Sequence, residues 1–336
     1  PRPAPPASRP PGRRRAPAAP LRTLAAPQPP RPAVGFVCPG GQQRGAMGQG
    51  AGGAAGRAVR GAGALLGLLG LLGVLGGRAA PRGARGMGLV LPLYNHKFDS
   101  DWAAVADAAG RVPLIAVVAA APSQEPSAEL ARNAQALRDA GATVLWYVYT
   151  RNGSVPCCEC CEDLATIEGH IDNVLQYPGD GIFLDNVAGQ DRGKDPAGNL
   201  RKYGEIVAAV RARSPGARIM LNGPGHRAPP ELQGGYDALM GPDGFPSVWM
   251  ESYEDNFRER WAQWDAPWLH AGPPSRWAAI LHGRGAAASN LYEDVAAAKE
   301  RGIGWIDHTD TPYQGLATYF EELVAAVEAA NNSDDW

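Results

Sequence analysis

Two acids stand at the ends of two apolar runs. Asp185 closes Gly181-Ile-Phe-Leu-Asp185, and Glu251 closes Ser247-Val-Trp-Met-Glu251. A pair of carboxyl groups flanking one bond is the equipment of glycoside hydrolysis. One protonates the leaving oxygen, while the other attacks the anomeric carbon or activates water. That chemistry requires both side chains in one cleft, so the elements that carry them must end on a common rim. A parallel (β/α)8 barrel meets the requirement, because every strand delivers its C-terminal residue to the same face.

The body of the chain has the rhythm of such a barrel. Strands are predicted at 88–94, 114–120, 143–150, 181–187, 218–223, 247–253, 277–282 and 304–308. Helical patterns lie between them at 101–109, 128–140, 163–175, 200–213, 230–237 (weak), 256–264, 290–301 and 318–330. Several strands are nearly continuous apolar runs, as expected where helices cover the outside and side chains fill the inside. Gly141, Gly181 and Gly302 stand at helix-to-strand junctions and read as C-caps. Residues 86–330 are therefore assigned to a single (β/α)8 TIM barrel of the α/β class, with an open doubly wound sheet as the alternative. No G-x-G-x-x-G follows the first strand, which gives dinucleotide binding no support.

The strand ends define a candidate rim around Asp185 and Glu251. Tyr94 ends the first strand, Tyr147 and Tyr149 the third, Asn186 the fourth and Asn222 the fifth. Tyr253 ends the sixth, His282 the seventh and Asp307, followed by His308, the eighth. Any one of the polar residues could instead cap the next helix. Together, aromatic, amide, imidazole and carboxyl groups suit a sugar, whose apolar ring faces are edged by hydroxyls. Asp185 and Glu251 are the candidate catalytic residues, and the other eight (Tyr94 to Asp307, His308 apart) are candidate substrate-binding residues. Trp146, Trp249 and Trp305 read either as sugar platforms or as packing. Asp185, followed by polar Asn186 and near Asn222, is expected to keep a low pKa and act as nucleophile. Glu251, in the more apolar Trp249-Met250 setting, is expected to hold a proton and act as general acid.

The 336 residues carry a net charge of −2, which gives no electrostatic case for nucleic acid. Residues 1–86 contain no Asp or Glu but many Arg, so the body is acidic. Residues 1–46 are Pro-, Ala- and Arg-rich and are expected to stay disordered. Residues 47–85 have the order of a secretory signal: Arg57 and Arg60, an apolar run from Ala64 to Leu75, then small residues. A short membrane anchor or a transit peptide is the alternative, and residues 331–336 form a tail. A secreted or cell-surface protein follows from the signal reading.

Metal chemistry has little to rest on. There is no H-E-x-x-H, no His-x-His on the first strand, and only the Asp307-His308 pair, so no metal and no organic cofactor are assigned. Cys157, Cys158, Cys160 and Cys161 lack zinc spacing and suit disulfides in an exported protein, with open connectivity. Asn152-Gly-Ser154 and Asn331-Asn-Ser333 are N-glycosylation sequons.

The region 88–310 resembles the spherulin-4 (spherulation-specific) domain. The resemblance is carried by Pro92-Leu-Tyr94, Trp146-Tyr-Val-Tyr-Thr150, Asp180-Gly-Ile-Phe-Leu-Asp185, Leu221-Asn-Gly-Pro-Gly225, Trp249-Met-Glu251 and Tyr253. It implies a (β/α)8 barrel and a secreted glycoside hydrolase, with characterised relatives cutting α-1,4-linked galactosamine or N-acetylgalactosamine polymers. It also implies that Asp185 and Glu251 match two of three catalytic-site acids. The third, a Glu following the fourth-strand Asp, is replaced here by Asn186. The expected activity is acid–base cleavage of a polysaccharide or oligosaccharide. A catalytically silent carbohydrate-binding or cell-wall barrel and a metal-dependent barrel hydrolase are the alternatives, and the oligomeric state is left open.

Overall fold

The computed structural model describes residues 86–94, 99–120, 125–150, 163–187, 196–222, 235, 238–239, 246–252, 276–282, 287–311 and 315–333. The expectations for 1–46 and 47–85, the Cys157–Cys161 cluster, Asn152 and Tyr253 lie outside the described residues. So does most of the two helical patterns at 230–237 and 256–264. By its internal contacts the chain divides into Pro1–Gly73 and Val74–Trp336, and every described residue belongs to the second unit.

Strands β1 (Gly88–Leu93), β2 (Leu114–Val118), β3 (Thr143–Tyr149), β4 (Gly181–Asp185), β5 (Arg218–Leu221), β6 (Ser247–Ser252), β7 (Trp277–His282) and β8 (Trp305–Thr309) form one sheet. Its order is β5-β4-β3-β2-β1-β8-β7-β6, and every described pairing is parallel. β5 and β6 are then joined by a parallel bridge between Asn222 and Val248, which nearly closes the sheet on itself. That bridge removes the open doubly wound alternative. Helices α1 (Asp99–Ala109), α2 (Ala128–Asp139), α3 (Leu164–Val174), α4 (Pro196–Arg213), α5 (Leu291–Glu300) and α6 (Phe320–Asn332) follow β1, β2, β3, β4, β7 and β8.

Local chemistry sets the element ends. Ser127 Oγ accepts from Leu130 N at 3.1 Å and Asp163 Oδ1 from Thr166 N at 2.7 Å, capping α2 and α3. Gly141 and Gly302 follow α2 and α5 with φ of +104° and +72°, backbone that glycine adopts without cost. Gly181 is not a cap. It opens β4, where a Cβ would collide with the Arg218 backbone of β5.

Strand alternation divides the core in two. Val90, Ile115, Val117, Leu145, Phe183, Met220, Val248, Ala278 and Ile280 fill the barrel, with Tyr94, Tyr147 and Trp305 packed against them. The alternate residues, including Leu91, Ala116, Val144, Ile182, Leu221 and Leu281, face the helices and join Val105, Leu137, Ile171, Ile206, Val295 and Val324. Among the described residues both faces of β1 to β5 and of β7 carry buried apolar side chains, which explains the unbroken apolar runs. Trp146 belongs to the outer layer and Trp305 to the inside of the barrel, so both pack the core. The ends of the barrel domain are clasped by Asn331 of α6, whose Oδ1 accepts from Met87 N at 2.6 Å and whose Nδ2 donates to Met87 O at 2.9 Å.

Candidate active site

Period-two alternation along β4 runs Gly181, Phe183, Asp185, so the buried Phe183 inside the barrel fixes Asp185 on the same face. The same rule places Tyr147 and Tyr149 beyond Leu145 on β3, Asn222 beyond Met220 on β5, and His282 beyond Ile280 on β7. Glu251 needs a different device. Val248 faces inward, and three residues further on a regular strand would face outward. The β6–β7 register, however, runs Val248↔Ala278, Met250↔Ala279 and Glu251↔Ile280, with the shift between Val248 and Met250. Trp249 is thus the extra residue of a β-bulge, and the bulge turns Glu251 into the barrel.

The two acids meet through Asn222. Its Nδ2 donates to Asp185 Oδ1 at 2.7 Å and to Glu251 Oε2 at 2.9 Å. Laid end to end, those bonds limit the separation of the two oxygens to about 5.6 Å. Asp185 Oδ2 also accepts from Tyr147 Oη at 2.6 Å and from Asn186 Nδ2 at 3.0 Å. Glu251 Oε1 lies 3.3 Å from His282 Nε2, whose donor or acceptor role depends on the tautomer.

The low pKa expected for Asp185 is not what the structure gives. Burial first, and the neighbouring Glu251 second, push it up to about 6, against the hydrogen bonds from Tyr147 and Asn222. Taking the carboxylate from water outweighs the donors that steady its ionised form. The side chain still keeps a partly exposed edge at the mouth. Tyr147 is pushed well above the ordinary tyrosine range by burial and by the charge of Asp185, so it stays a phenol able to donate.

The rest of the rim sorts by direction. Tyr94 packs on Tyr147 with ring centroids 4.7 Å apart, and Tyr147 stacks on Tyr149 at 6.5 Å, an aromatic wall beside Asp185. Asn186 turns the chain out of β4 with φ of +57°, a left-handed conformation that Asn tolerates better than most residues. Asp307 faces inward on β8, is buried, and has its pKa pushed up to about 6 by burial. His308, the next residue, faces the helices instead. Its Nδ1 lies 2.9 Å from Tyr319 Oη and its Nε2 2.9 Å from Asp294 Oδ2 of α5. The Asp307-His308 pair is therefore split between two layers and cannot act as one site. Among the described residues, no group of three or more His, Cys, Asp and Glu is placed to hold a metal ion.

Two supports were not legible in the sequence. Tyr203 of α4 is buried and donates to the Asn186 carbonyl at 3.0 Å while its hydroxyl meets Thr150 Oγ1 at 2.6 Å. Thr150 Oγ1 in turn donates to the carbonyl of Asp185. The turn that aims Asp185 is thus held by its neighbouring strand and helix. A lone tyrosine in an amphipathic helix gives no signal for such a role. The bulge at Trp249 leaves none either.

Among curated proteins, none matches the chain. Solved structures with similar folds include a protein described as a candidate fructose-1,6-biphosphate aldolase from Coccidioides immitis. It is 21% identical, with 73% of this chain and 86% of that one covered and a TM-score of 0.43. A chitinase from Chromobacterium violaceum is 13% identical over 74% and 83% of the chains at a TM-score of 0.45. A β-mannanase from Streptomyces thermolilacinus is 12% identical over 72% and 88% at 0.46. The profile of the spherulation-specific family 4 matches residues 88–327, nearly the whole barrel from β1 into α6. The chain belongs to the spherulation-specific family 4, known as Spherulin4.

Proposed function

We propose that this protein is a glycoside hydrolase that cleaves a polysaccharide by acid–base chemistry at Asp185 and Glu251. The observation that carries the reading is the pair of carboxyl groups at the barrel mouth, joined through one amide of Asn222. Oxygens about 5.6 Å apart or closer suit a retaining pair, whose carboxyl groups stand roughly 5–5.5 Å apart, better than an inverting pair at ~6.5–9.5 Å.

The hydrogen-bond partners suggest the roles. Asp185 is met by three donors, Tyr147, Asn186 and Asn222, a setting that serves its ionised form. It is suited to be the nucleophile that forms a glycosyl-enzyme. Glu251 can pass a hydrogen to His282 Nε2 when that nitrogen is unprotonated, so it is suited to carry the proton that the leaving oxygen takes. In the second half-reaction Glu251 accepts a proton from water, which attacks the anomeric carbon and frees Asp185. The aromatic wall of Tyr94, Tyr147 and Tyr149 offers faces for sugar rings. An acid-rich mouth with Asp185, Glu251 and Asp307 favours a substrate with cationic amino groups. Action outside the cell fits the signal-like segment at 47–85.

A silent carbohydrate-binding barrel is the second reading, favoured by Asn186 beside Asp185, where the family pattern carries a third acid. Incubation of the purified protein with amino-sugar and neutral polysaccharides, scored for new reducing ends, separates the two. Release from an amino-sugar polymer supports the hydrolase, and binding without release supports the silent barrel.

A further inference from the structure

At the end of the barrel opposite the mouth, β4 begins beside the C-terminal ends of α3 and α4. A cavity of about 230 Å³ lies there, walled by Trp146, Tyr177, Gly179, Asp180, Ser214 and Gly216. That is the space of roughly seven waters at about 30 Å³ each, enough for one sugar ring. Asp185 stands at the other end of the same strand, so this cavity is distinct from the catalytic mouth.

The wall mixes aromatic and polar groups. The Trp146 indole is buried in the outer layer, and its Nε1–H has no hydrogen-bond partner among the described residues. A buried donor without an acceptor is costly, and the cavity beside it is where an acceptor would come from. Gly179 lies against that edge of the ring, where a Cβ would stand 2.7 Å from Nε1. Tyr177 meets Trp146 edge-on at 6.2 Å, and its hydroxyl donates to Glu125 Oε2 at 3.3 Å, which orients the ring. Asp180 Oδ1 accepts from Arg138 at 3.1 and 3.0 Å, and Oδ2 accepts from Val144 N at 2.9 Å. The guanidinium offsets the carboxylate charge, so the wall favours a neutral polar guest over an ion. Oδ2 keeps a second lone pair for a donor from that guest.

We propose that this cavity is a second carbohydrate site, taking one neutral sugar unit at the end of the barrel away from the mouth. The inference rests on the hydrolase reading for its purpose, which is to hold one part of a chain while the mouth works on another. It does not rest on that reading for its test. A sugar unit lays the apolar face of its ring on Tyr177 and turns its hydroxyls to Asp180 Oδ2 and Ser214. One hydroxyl oxygen accepts from the Trp146 N–H. That nitrogen lies behind Gly179, so the turn into β4 gives way slightly as the oxygen reaches it, and the new bond offsets the shift.

The full-length protein has nine tryptophans, so a nitrogen-15 spectrum carries a small set of indole N–H signals. Trp146→Phe identifies the Trp146 signal, and its through-space contact with Gly179 identifies it should that variant not fold. Glucose and N-acetylglucosamine are the probes, with cyclohexanol as an apolar ring of similar size. With a sugar, the Trp146 signal is expected to move saturably with a Kd of roughly 1–10 mM, the range for about a dozen heavy atoms. Trp102 on α1 should stay still. A Cβ at Gly216 would meet nothing within 4 Å, so Gly216→Leu occupies open space and should weaken binding by about tenfold or more. Tyr177→Ala, the second variant, should weaken it by about fivefold. Asp185→Asn should leave the titration unchanged, so a protein that cleaves nothing still shows this site. A still Trp146 signal at about 50 mM of both sugars would overturn the proposal. So would a titration indifferent to Gly216→Leu and Tyr177→Ala, or a response to cyclohexanol alone.

Discussion

Asp185 and Glu251 accept hydrogen bonds from the same nitrogen, Nδ2 of Asn222, at 2.7 and 2.9 Å. The same residue forms the bridge to Val248 that brings β5 against β6. Closure of the barrel and spacing of the acids are therefore one structural event. Anything that loosens Asn222 should separate the carboxyl groups and admit water between them.

Asn222→Ala is expected to leave a folded barrel but to cut turnover by roughly 10²-fold, the scale of loss when a reacting group is misplaced by about an ångström. Steady-state kinetics beside a thermal melt checks this. Unchanged turnover would mean that the shared amide does not position the pair.

Tyr147→Phe removes a 2.6 Å bond that favours the ionised form of Asp185. With a donor lost, the carboxyl should hold its proton to higher pH. The acid limb of the pH–rate profile, set where Asp185 ionises at about 6, is expected to move upward. A downward shift would contradict the nucleophile assignment.

Asp307 bears on stability as well as on protons. Its pKa rises from the usual carboxylate value to about 6 on folding, so the fold binds its proton more tightly than the unfolded chain does. That contribution is fully present below about pH 4 and is lost as pH rises through about 6. Asp307→Asn should therefore raise the melting temperature at pH 8, by the equivalent of about 1–3 kcal/mol, and leave it nearly unchanged at pH 4. Melts at the two pH values decide it.

The Asn331 clasp sets a test far from the site. Asn331→Ala leaves the Met87 N–H and carbonyl without their partner and is expected to cost about 1–3 kcal/mol, read by chemical denaturation. A glycan on Nδ2 would replace one of its two hydrogens and crowd the donation to the Met87 carbonyl, so mass spectrometry of folded protein made in a glycosylating host should find Asn331 unmodified.

The sequence shows the strands and the acids more clearly than their directions. β4 reads Gly-Ile-Phe-Leu-Asp, apolar on both faces because the barrel interior and the helix layer are both dry, so nothing in the pattern says which way Asp185 points. The same ambiguity joined His308 to Asp307, although alternation sends one to Asp294 and the other into the barrel. In β6, counting by twos from Val248 would turn Glu251 away from the site, and only the register shift beside Ala278 and Ala279 restores it. Tyr147 and Asn222 were legible because they stand at strand ends, where polarity in an apolar run has few structural uses. The pKa of Asp185 was not, because counting neighbouring donors ignores the cost of losing water.

The most direct test compares wild type, Asp185→Asn and Glu251→Gln on one cleaved polysaccharide and on an aryl glycoside of the same sugar, with the anomeric product followed by proton NMR. The wild type should release product with retained configuration, and Asp185→Asn should be inactive on both substrates. Glu251→Gln should fail on the polysaccharide yet keep much of its activity on the aryl glycoside, whose good leaving group needs little protonation. Inverted product would contradict the close pair read from Asn222. Full activity of Asp185→Asn would contradict the account at its centre.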